Sequence, residues 1–326
     1  MVLVVGLGGL VVHGWSTITD ALTRIRSADP LWLSLAIIAL GAGFLSAGQI
    51  YGQVLHALGF RARYLWLCAA AMVSILISQT IPAGTVASYA FLTASMRKRG
   101  VPPASVTLIA GLELLSWIGA MLVLFAYGLF YMLVIAHETI APVAYSAAIM
   151  AVMLLGGWIY IGSRPIACLH TWSRQITRLL ERVFGTLWDD EQIDRVVHEL
   201  DVNRRLLFDR PRVSLRLIGL QLIVFILHSL ALMLLLHSLG VVVKPAATLA
   251  AYGLALIVGT FTALPGGGGT VEAALTLTLV AQGVPPDAAL GTSLLFRLLN
   301  FWLLLPVGAI AYRLLVRDPP PARRTH

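Results

Sequence analysis

Charged residues are scarce in this chain. Asp, Glu, Lys and Arg make up 12% of its 326 residues, and hydrophobic residues make up 59%. This balance lies far outside that of a soluble domain. Several apolar runs reach the roughly 20 residues with which a helix crosses a bilayer. The composition therefore excludes a soluble globular domain and predicts an all-α polytopic membrane protein.

Cysteine is scarce, and catalytic motifs are lacking. Cys68 and Cys168 cannot form a disulfide framework, and neither has the spacing of a metal ligand. The first fifteen residues lack a basic n-region and a small-residue cleavage site, so we expect a short first helix there and no removed signal peptide. No HExxH motif, nucleotide-binding loop or recognisable nucleophile–base pair is found. We therefore expect no cofactor, no metal and no enzymatic activity.

Basic residues outnumber acidic ones, which gives a net charge of +8. They are scattered among loops and carry no interleaved aromatic residues, so nucleic acid is not an expected partner. They serve better as topology signals, because basic loops stay in the cytoplasm. The arginine-rich block 164–212 predicts two amphipathic helices and, with the tail at 317–326, a cytoplasmic location.

The hydrophobic runs divide the single membrane domain, residues 1–326, into parts. A first helix and an interfacial segment occupy 1–30, a first half 31–163, the cytoplasmic helices 164–212 and a second half 213–316. The predicted hydrophobic segments are 2–15, 31–56, 65–81, 104–135, 141–163, 213–239, 246–264 and 287–316. About six of them are predicted to span the membrane fully, and each half contains one helical hairpin.

An internal repeat relates the two halves. The sequence IPAG from Ile81 is followed by RGVPPASV. A similar pattern begins 183 residues later, with LPGG from Leu264 followed by QGVPPDAA. Upstream, HALG at 56–59 is echoed by HSLG at 237–240. Matches held in register over this length indicate a duplication.

Charge gives the relative orientation of the halves. Arg61, Arg63 and the cluster at 97–99 place the loops of the first half in the cytoplasm, so hairpin 65–98 enters from the inside. Hairpin 246–282 then enters from the outside, because Arg317 must end inside. The repeats are predicted to be inverted, with one re-entrant hairpin from each face. Arg24 and Arg26 oppose this assignment, since they fall outside.

The second hairpin breaks at a glycine run that is a candidate binding site. Irregular backbone at membrane depth is tolerated where it lines a polar cavity, and broken segments at matching places in two halves point to a transporter's site. With Thr270 as N-cap, the glycine N–H groups would suit an anion such as a lipid phosphate. Alternatively, the glycines only let the hairpins approach closely. The run comprises Pro265, Gly266, Gly267, Gly268 and Gly269.

Three ionisable residues fall inside predicted spans: Glu113, Glu272 and Arg297. A charge at membrane depth costs about 2.5–3.5 kcal/mol, so each should face the protein interior. Arg297 is suited to a phosphate, and Glu272 to a cationic or hydroxylated headgroup or to a proton. A purely structural ion pair, Glu272–Arg297 or Glu113–Arg297, is the alternative.

Weaker candidates complete the predicted site. Asn300 either extends the polar wall or forms a helix–helix hydrogen bond. In the first hairpin, Ser88 and Tyr89 align with Val271 and Glu272, and Pro82 and Gly84 mark the break. His56, His228 and His237 are isolated and are interpreted as packing or interfacial residues.

The chain resembles the flippase-like membrane domain of lysylphosphatidylglycerol synthases in the stretch PGGGGTVEAAL, in its partner IPAGTVASYAF and in Arg297. Stand-alone relatives of this domain include an uncharacterised inner-membrane family and a member associated with hopanoid biosynthesis. The resemblance covers nearly the whole chain. It implies translocation of a polar-headed lipid between leaflets, with Pro265, Gly266, Gly267 and Glu272 at the motif. Ten polar residues follow the last helix, so lysyl transfer is not expected.

Three functions are therefore weighed. The first is a lipid flippase of the bacterial inner membrane that works by alternating access. The second is an intramembrane enzyme with Glu272 as acid–base, and the third is an accessory subunit of a lipid-synthesis complex. A membrane lipid is the expected partner, while homo-oligomers and association with lipid-synthesis enzymes stay open.

The inverted repeat predicts that the loops after the two hairpins are labelled from opposite sides of the membrane. In a background with Cys68→Ser and Cys168→Ser, Gln282→Cys should react with a membrane-impermeant maleimide in intact cells. Arg99→Cys should react only after permeabilisation, because its loop is cytoplasmic. Labelling of both positions from one side would contradict the predicted insertion from opposite faces.

Overall fold

The computed structural model describes residues 15–57, 59–60, 62–80, 84–131, 152–153, 156, 211–260 and 268–317. Regular structure in these ranges is helical. The helices are α1 Trp15–Arg26, α2 Pro30–Ala57, α3 Tyr64–Thr80, α4 Gly84–Arg97, α5 Pro103–Phe130, α6 Pro211–Ser238, α7 Pro245–Thr260, α8 Thr270–Ala281, α9 Pro286–Arg297 and α10 Leu304–Arg317. Within these ranges, the all-α prediction is confirmed, and most predicted boundaries agree to within a few residues.

Other predicted elements cannot be compared. The predicted first helix at 2–15 and the amphipathic block 164–212 lie outside the described residues except at residue 15 and residues 211–212. The predicted span at 141–163 is described only at 152–153 and 156.

Proline and glycine mark the helix ends. Five described helices begin at proline, where the missing N–H would have no intrahelical partner. Glycines with φ near +80° follow the ends of α2, α4, α6 and α8, in the left-handed conformation that stops a helix. These glycines are Gly59, Gly100, Gly240 and Gly283. Because they fall at matching places in the two halves, the duplication extends to the helix ends.

Helix lengths separate spans from hairpin arms. Four apolar stretches are long enough to cross a membrane: Pro30–His56, Ser105–Gly128, Arg212–Ser238 and Pro286–Arg313. Three other apolar helices, α3, α7 and α8, have 10–17 residues. Such lengths fall short of the roughly 20 residues of a full span. They have the lengths expected of hairpin arms.

Helices α2 and α6 pack antiparallel. The Asp29 N–H, before α2, donates to the carbonyl of Ser238 at the end of α6, at 2.8 Å. The rings of Trp32 and His237 lie 5.1 Å apart, and further along, the ring of Phe44 meets His228 at 5.4 Å. Since the repeat aligns α2 with α6, the two halves of the chain run in opposite directions and are inverted.

Two hydrophobic cores lie at opposite ends of this helix pair. One joins the later part of α2 and the start of α6 to the first hairpin, α3 and α4. The other joins the start of α2 and the later part of α6 to the second hairpin, α7 and α8. Each hairpin therefore belongs to its own end of the bundle.

The first arm of each hairpin packs against a described helix of the other half. Helix α3 contacts α10, and α7 contacts α5. At the second contact, the Thr260 hydroxyl lies 3.5 Å from the Met121 sulfur. A Cβ added to Gly128 would lie 3.2 Å from the Cα of Ala250, so the two backbones approach closely there. The halves are interlocked rather than side by side.

The last predicted helix, 287–316, is not a single α-helix. Between α9 and α10 it forms a π-helical segment, Leu298–Trp302. There the Leu303 N–H donates to the Leu298 carbonyl five residues earlier, at 2.8 Å. Pro306 lacks the N–H that would continue regular pairing beyond this point. The predicted span is confirmed as one continuous helical stretch, and the π-helical segment inside it was not predicted.

Gly84→Ala should destabilise the first hairpin. An added Cβ would lie 2.5 Å from the carbonyl oxygens of Ile77 and Ser78, and overpacking of this kind costs about 1–3 kcal/mol. Gly41→Ala is the matched control, because it has open space and helical surroundings, where alanine stabilises by about 0.5–1 kcal/mol. Thermal unfolding in detergent measures both. A melting temperature of Gly84→Ala at or above that of the wild type would contradict the close approach.

Candidate functional site

An ion pair joins the second hairpin to the last long helical stretch. The Arg297 Nε–H, at the end of α9, donates to the Glu272 carboxylate at 3.0 Å, and the two side chains are 16% and 15% exposed. The predicted Glu272–Arg297 pair is therefore present. The alternative Glu113–Arg297 pair was wrong, because the Arg297 Nε bonds to Glu272 and no basic side chain among the described residues pairs with Glu113.

The other carboxylate oxygen of Glu272 caps its own helix. It accepts the Gly269 N–H at 2.9 Å, and α8 begins at Thr270. The prediction of Thr270 as N-cap was wrong by one residue, because the Gly269 φ of 81° allows glycine to cap there. The helix dipole also favours an acid in this first turn. The anion position predicted at the start of this helix is thus taken by the protein's own carboxylate.

Aromatic and hydroxyl groups surround the pair. The Arg297 guanidinium lies over the Phe301 ring, 4.5 Å from its centroid, in cation–π geometry. One turn after Glu272, the Thr276 hydroxyl donates to Ser293 on α9 at 3.0 Å. Helices α8 and α9 are therefore joined by two polar contacts on the same pair of faces.

Asn300 lies beside α6. It lies in the π-helical segment, next to the buried His228 of α6. The His228 Nδ1 lies 2.7 Å from the Val224 carbonyl oxygen and donates its hydrogen to it. The Asn300 Oδ1 is buried and has no hydrogen-bond partner among the described residues. Asn300 thus lies where the π-helical segment approaches α6, and its two predicted roles stay predictions.

The first hairpin carries neutral groups at the equivalent place. Tyr89 corresponds to Glu272 in the repeat, and its hydroxyl hydrogen-bonds with Thr107 of α5 at 2.6 Å. Ser88 precedes it and is half-buried. Gly84 opens α4 in close contact with the end of α3. Each hairpin thus has a polar link to the following long helix, ionic in one half and hydroxyl-based in the other.

Glu113 lies apart from the ion pair, in the core that contains the first hairpin. It is mostly buried and adjoins Leu112, which is 6% exposed. Tyr51 of α2 belongs to the same core. The predicted site residues are therefore divided between two centres.

Arg24, which opposed the predicted topology, has an acidic partner. Its Nε–H donates to Asp287 at the start of α9, at 2.7 Å. Its terminal nitrogen also donates to the Leu239 carbonyl at 3.4 Å. The charge of Arg24 is thus compensated inside the protein, which removes it as a free topology signal.

The tips of both hairpins lie outside the described residues. Pro82 falls in 81–83, and Pro265, Gly266 and Gly267 fall in 261–267. Gly268 is described in the turn before α8. The structure therefore does not place the predicted motif beyond Gly268, Gly269 and Glu272.

Sequence reasoning missed several groups at the second hairpin. Phe301 and Ser293 were not predicted. Phe301 follows Arg297 by four residues and Ser293 precedes it by four, which is the spacing of residues on one helix face. His228 was interpreted as a packing residue, and its contact with Asn300 joins helices distant in sequence. No local signal could have found that contact.

Comparison with known proteins gives related sequences. A family model described as "Lysylphosphatidylglycerol synthase TM region" matches residues 1–308. Two UPF0104 membrane proteins of Methanothermobacter thermautotrophicus also match. One is 34% identical over 28% of this chain and 27% of its own length, and the other is 22% identical over 37% of this chain and 36% of its own length. The chain therefore aligns with about a third of the length of these curated relatives.

The ion pair predicts strong non-additivity in stability. Glu272→Gln keeps a group that can cap Gly269 but removes the carboxylate from Arg297, and breaking a buried pair costs up to about 3–5 kcal/mol. The double variant Glu272→Gln/Arg297→Gln should melt above either single variant, because it removes both charges of the pair together. Thermal unfolding in lipid nanodiscs measures this.

The Arg24–Asp287 pair is the matched control. Its side chains are 33% and 24% exposed, so Arg24→Gln and Asp287→Asn should each cost about 0–1 kcal/mol. Purely additive effects at Glu272 and Arg297 would contradict the importance of their pairing.

Proposed function

Because the chain belongs to the family of the lysylphosphatidylglycerol synthase transmembrane region, we propose that it moves a polar-headed, anionic lipid between the leaflets of a membrane. The observation that carries this proposal is the Glu272–Arg297 pair at the break of the second hairpin. A partly accessible guanidinium at membrane depth is suited to a phosphate group.

The inverted halves supply a route for alternating access. Helices α2 and α6 run antiparallel, and the two hairpins belong to cores at opposite ends of that pair. We infer that each hairpin enters the membrane from its own face and turns back near the middle. Movement of one half against the other would then open the site to one leaflet at a time.

Competition for Arg297 supplies the binding step. Glu272 already satisfies the arginine Nε–H and the Gly269 N–H. A lipid phosphate would exchange with this carboxylate and take charge-assisted hydrogen bonds of the same kind. An internal competitor keeps the arginine Nε–H hydrogen-bonded while the site holds no substrate, and it lets the phosphate leave again.

We place the protein in the bacterial cytoplasmic membrane, with residues 164–212 and the C-terminus in the cytoplasm. The positive-inside rule supports this orientation. The partner is the lipid itself, and both a homo-oligomer and a contact with lipid-synthesis enzymes are compatible with it.

Reconstituted vesicles test the function directly. Fluorescent phosphatidylglycerol, probed by dithionite quenching, should cross faster in vesicles with the protein than in empty ones. Arg297→Gln and Glu272→Gln should slow crossing about tenfold or more, because a hydrogen bond to a charged group contributes about 1.5–3 kcal/mol. The control variants Arg24→Gln and Asp287→Asn change another arginine–carboxylate pair, between α1 and the start of α9. Both should keep the wild-type rate.

Equal rates in protein-containing and empty vesicles would overturn the proposal. Mass spectrometry of the same extracted lipids tests the alternative of an intramembrane enzyme. A covalent change that depends on Glu272 would favour that alternative.

A further inference from the structure

Two polar contacts, one helical turn apart, join α8 to α9. The Arg297 Nε–H donates to the Glu272 carboxylate at 3.0 Å, and the Thr276 hydroxyl donates to Ser293 at 3.0 Å. Residues four apart on a helix lie about 5–6 Å from each other on one face. The hydroxyl contact therefore lies directly beside the ion pair, and the four residues form a polar ladder between the two helices.

The hydroxyl contact of the ladder has a fixed direction. Ser293 donates its own hydrogen to the Ala289 carbonyl at 2.9 Å, so its oxygen accepts the hydrogen of Thr276. A hydroxyl has one hydrogen to donate and two acceptor positions. The Thr276 hydrogen is used within the protein, while no donor among the described residues reaches the Thr276 oxygen. Thr276 therefore offers a hydrogen-bond acceptor to an incoming group.

An exposed apolar edge runs beside the polar ladder. Thr276 is half-buried, and its neighbour Leu277 is 50% exposed. Leu294 and Leu298, which directly follow the two α9 residues of the ladder, are 36% and 52% exposed. Leucine side chains and lipid tails are equally apolar, so these leucines suit contact with acyl chains. A lipid can therefore place its headgroup at the ladder while its chains stay against the apolar edge.

The first half of the chain has no such ladder. At the repeat offset of 183 residues, Ala110 and Leu114 stand in the places of the two α9 residues. Thr93, the counterpart of Thr276, donates to the Tyr89 carbonyl of its own helix at 2.9 Å. Helices α4 and α5 nevertheless pack against each other. The packing of a hairpin against the next long helix therefore does not require the hydroxyl contact, which leaves that contact available for recognition.

We propose that Thr276 selects the lipid by accepting a hydrogen bond from a hydroxyl of its headgroup, while the phosphate binds one turn away at Arg297. A short polyol such as glycerol, linked to the phosphate, spans that distance. Ser293 is a positioning residue, because it holds the Thr276 hydrogen and so keeps the acceptor side of Thr276 available. The substrate class is an anionic phospholipid with a hydroxylated headgroup. This inference rests on the proposed lipid transport.

A comparison of two lipids tests the selection. Phosphatidylmethanol has the phosphodiester charge of phosphatidylglycerol but no headgroup hydroxyl. In vesicles with the full chain, fluorescent phosphatidylglycerol should cross about 2–12 times faster than fluorescent phosphatidylmethanol, which is the factor that one neutral hydrogen bond supplies. Thr276→Val should lower the phosphatidylglycerol rate to that of phosphatidylmethanol and leave the phosphatidylmethanol rate unchanged, because valine has the shape of threonine without the hydroxyl.

Thr278→Val is the matched control on the same helix. Thr278 is 5% exposed and donates to the Ala274 carbonyl at 2.6 Å, so this variant loses a hydroxyl away from the ladder and should keep the ratio of the two rates. Thr276→Ser retains the hydroxyl and should also keep the ratio. Ser293→Ala should lower the ratio in part, because Thr276 keeps its oxygen but loses the partner that orients it.

Lipid binding to the purified protein gives a second measurement, which does not depend on transport. Native mass spectrometry with equal amounts of the two lipids should detect more bound phosphatidylglycerol than phosphatidylmethanol on the wild type. Thr276→Val should bind both lipids equally. Arg297→Gln should weaken the binding of both, since both carry the phosphate.

The outcomes separate the two proposals. If the wild type moves both lipids at the same rate, or if Thr276→Val slows both by the same factor, the selection is overturned and lipid transport stands. If the wild type moves neither lipid, transport fails, and the binding preference alone decides whether Thr276 recognises a headgroup hydroxyl. A preference that survives in Thr276→Val would refute the site in either case.

Discussion

The antiparallel packing of α2 against α6 is the contact on which the rest of the bundle depends. It is made close by small residues: a Cβ on Gly43 would lie 2.8 Å from the His228 ring. Because the two helices are counterparts in the repeat, their opposite directions make the two halves inverted. Each half then supplies a hairpin to one end of the pair and a long helix to the other, so that α3 meets α10 and α7 meets α5.

Within this frame, side chains of the protein satisfy the irregular backbone that is described at the second hairpin. A membrane offers no water to unpaired backbone groups, so a broken helix must be satisfied internally. At the second hairpin, Glu272 does this by accepting the Gly269 N–H, while Arg297 compensates its charge. The π-helical segment follows directly after Arg297 and brings Phe301 under the guanidinium. Segments of this kind are frequent at functional sites.

The two halves have kept the same architecture but diverged in chemistry. The link from hairpin to long helix is ionic at Glu272 and hydroxyl-based at Tyr89. Conversely, the first half has an acid at Glu113 where the second has Phe296.

The sequence by itself determined the helices, their ends and the duplication, since apolar runs, prolines and glycines act locally. It also identified Glu272, Arg297 and Glu113, because charge at membrane depth is costly wherever it occurs. Only the tertiary structure decided which charges meet. Arg297 pairs with Glu272 and not with Glu113, Arg24 pairs with Asp287, and Asn300 lies near His228. These outcomes join residues that are far apart in the chain, so no local pattern could specify them.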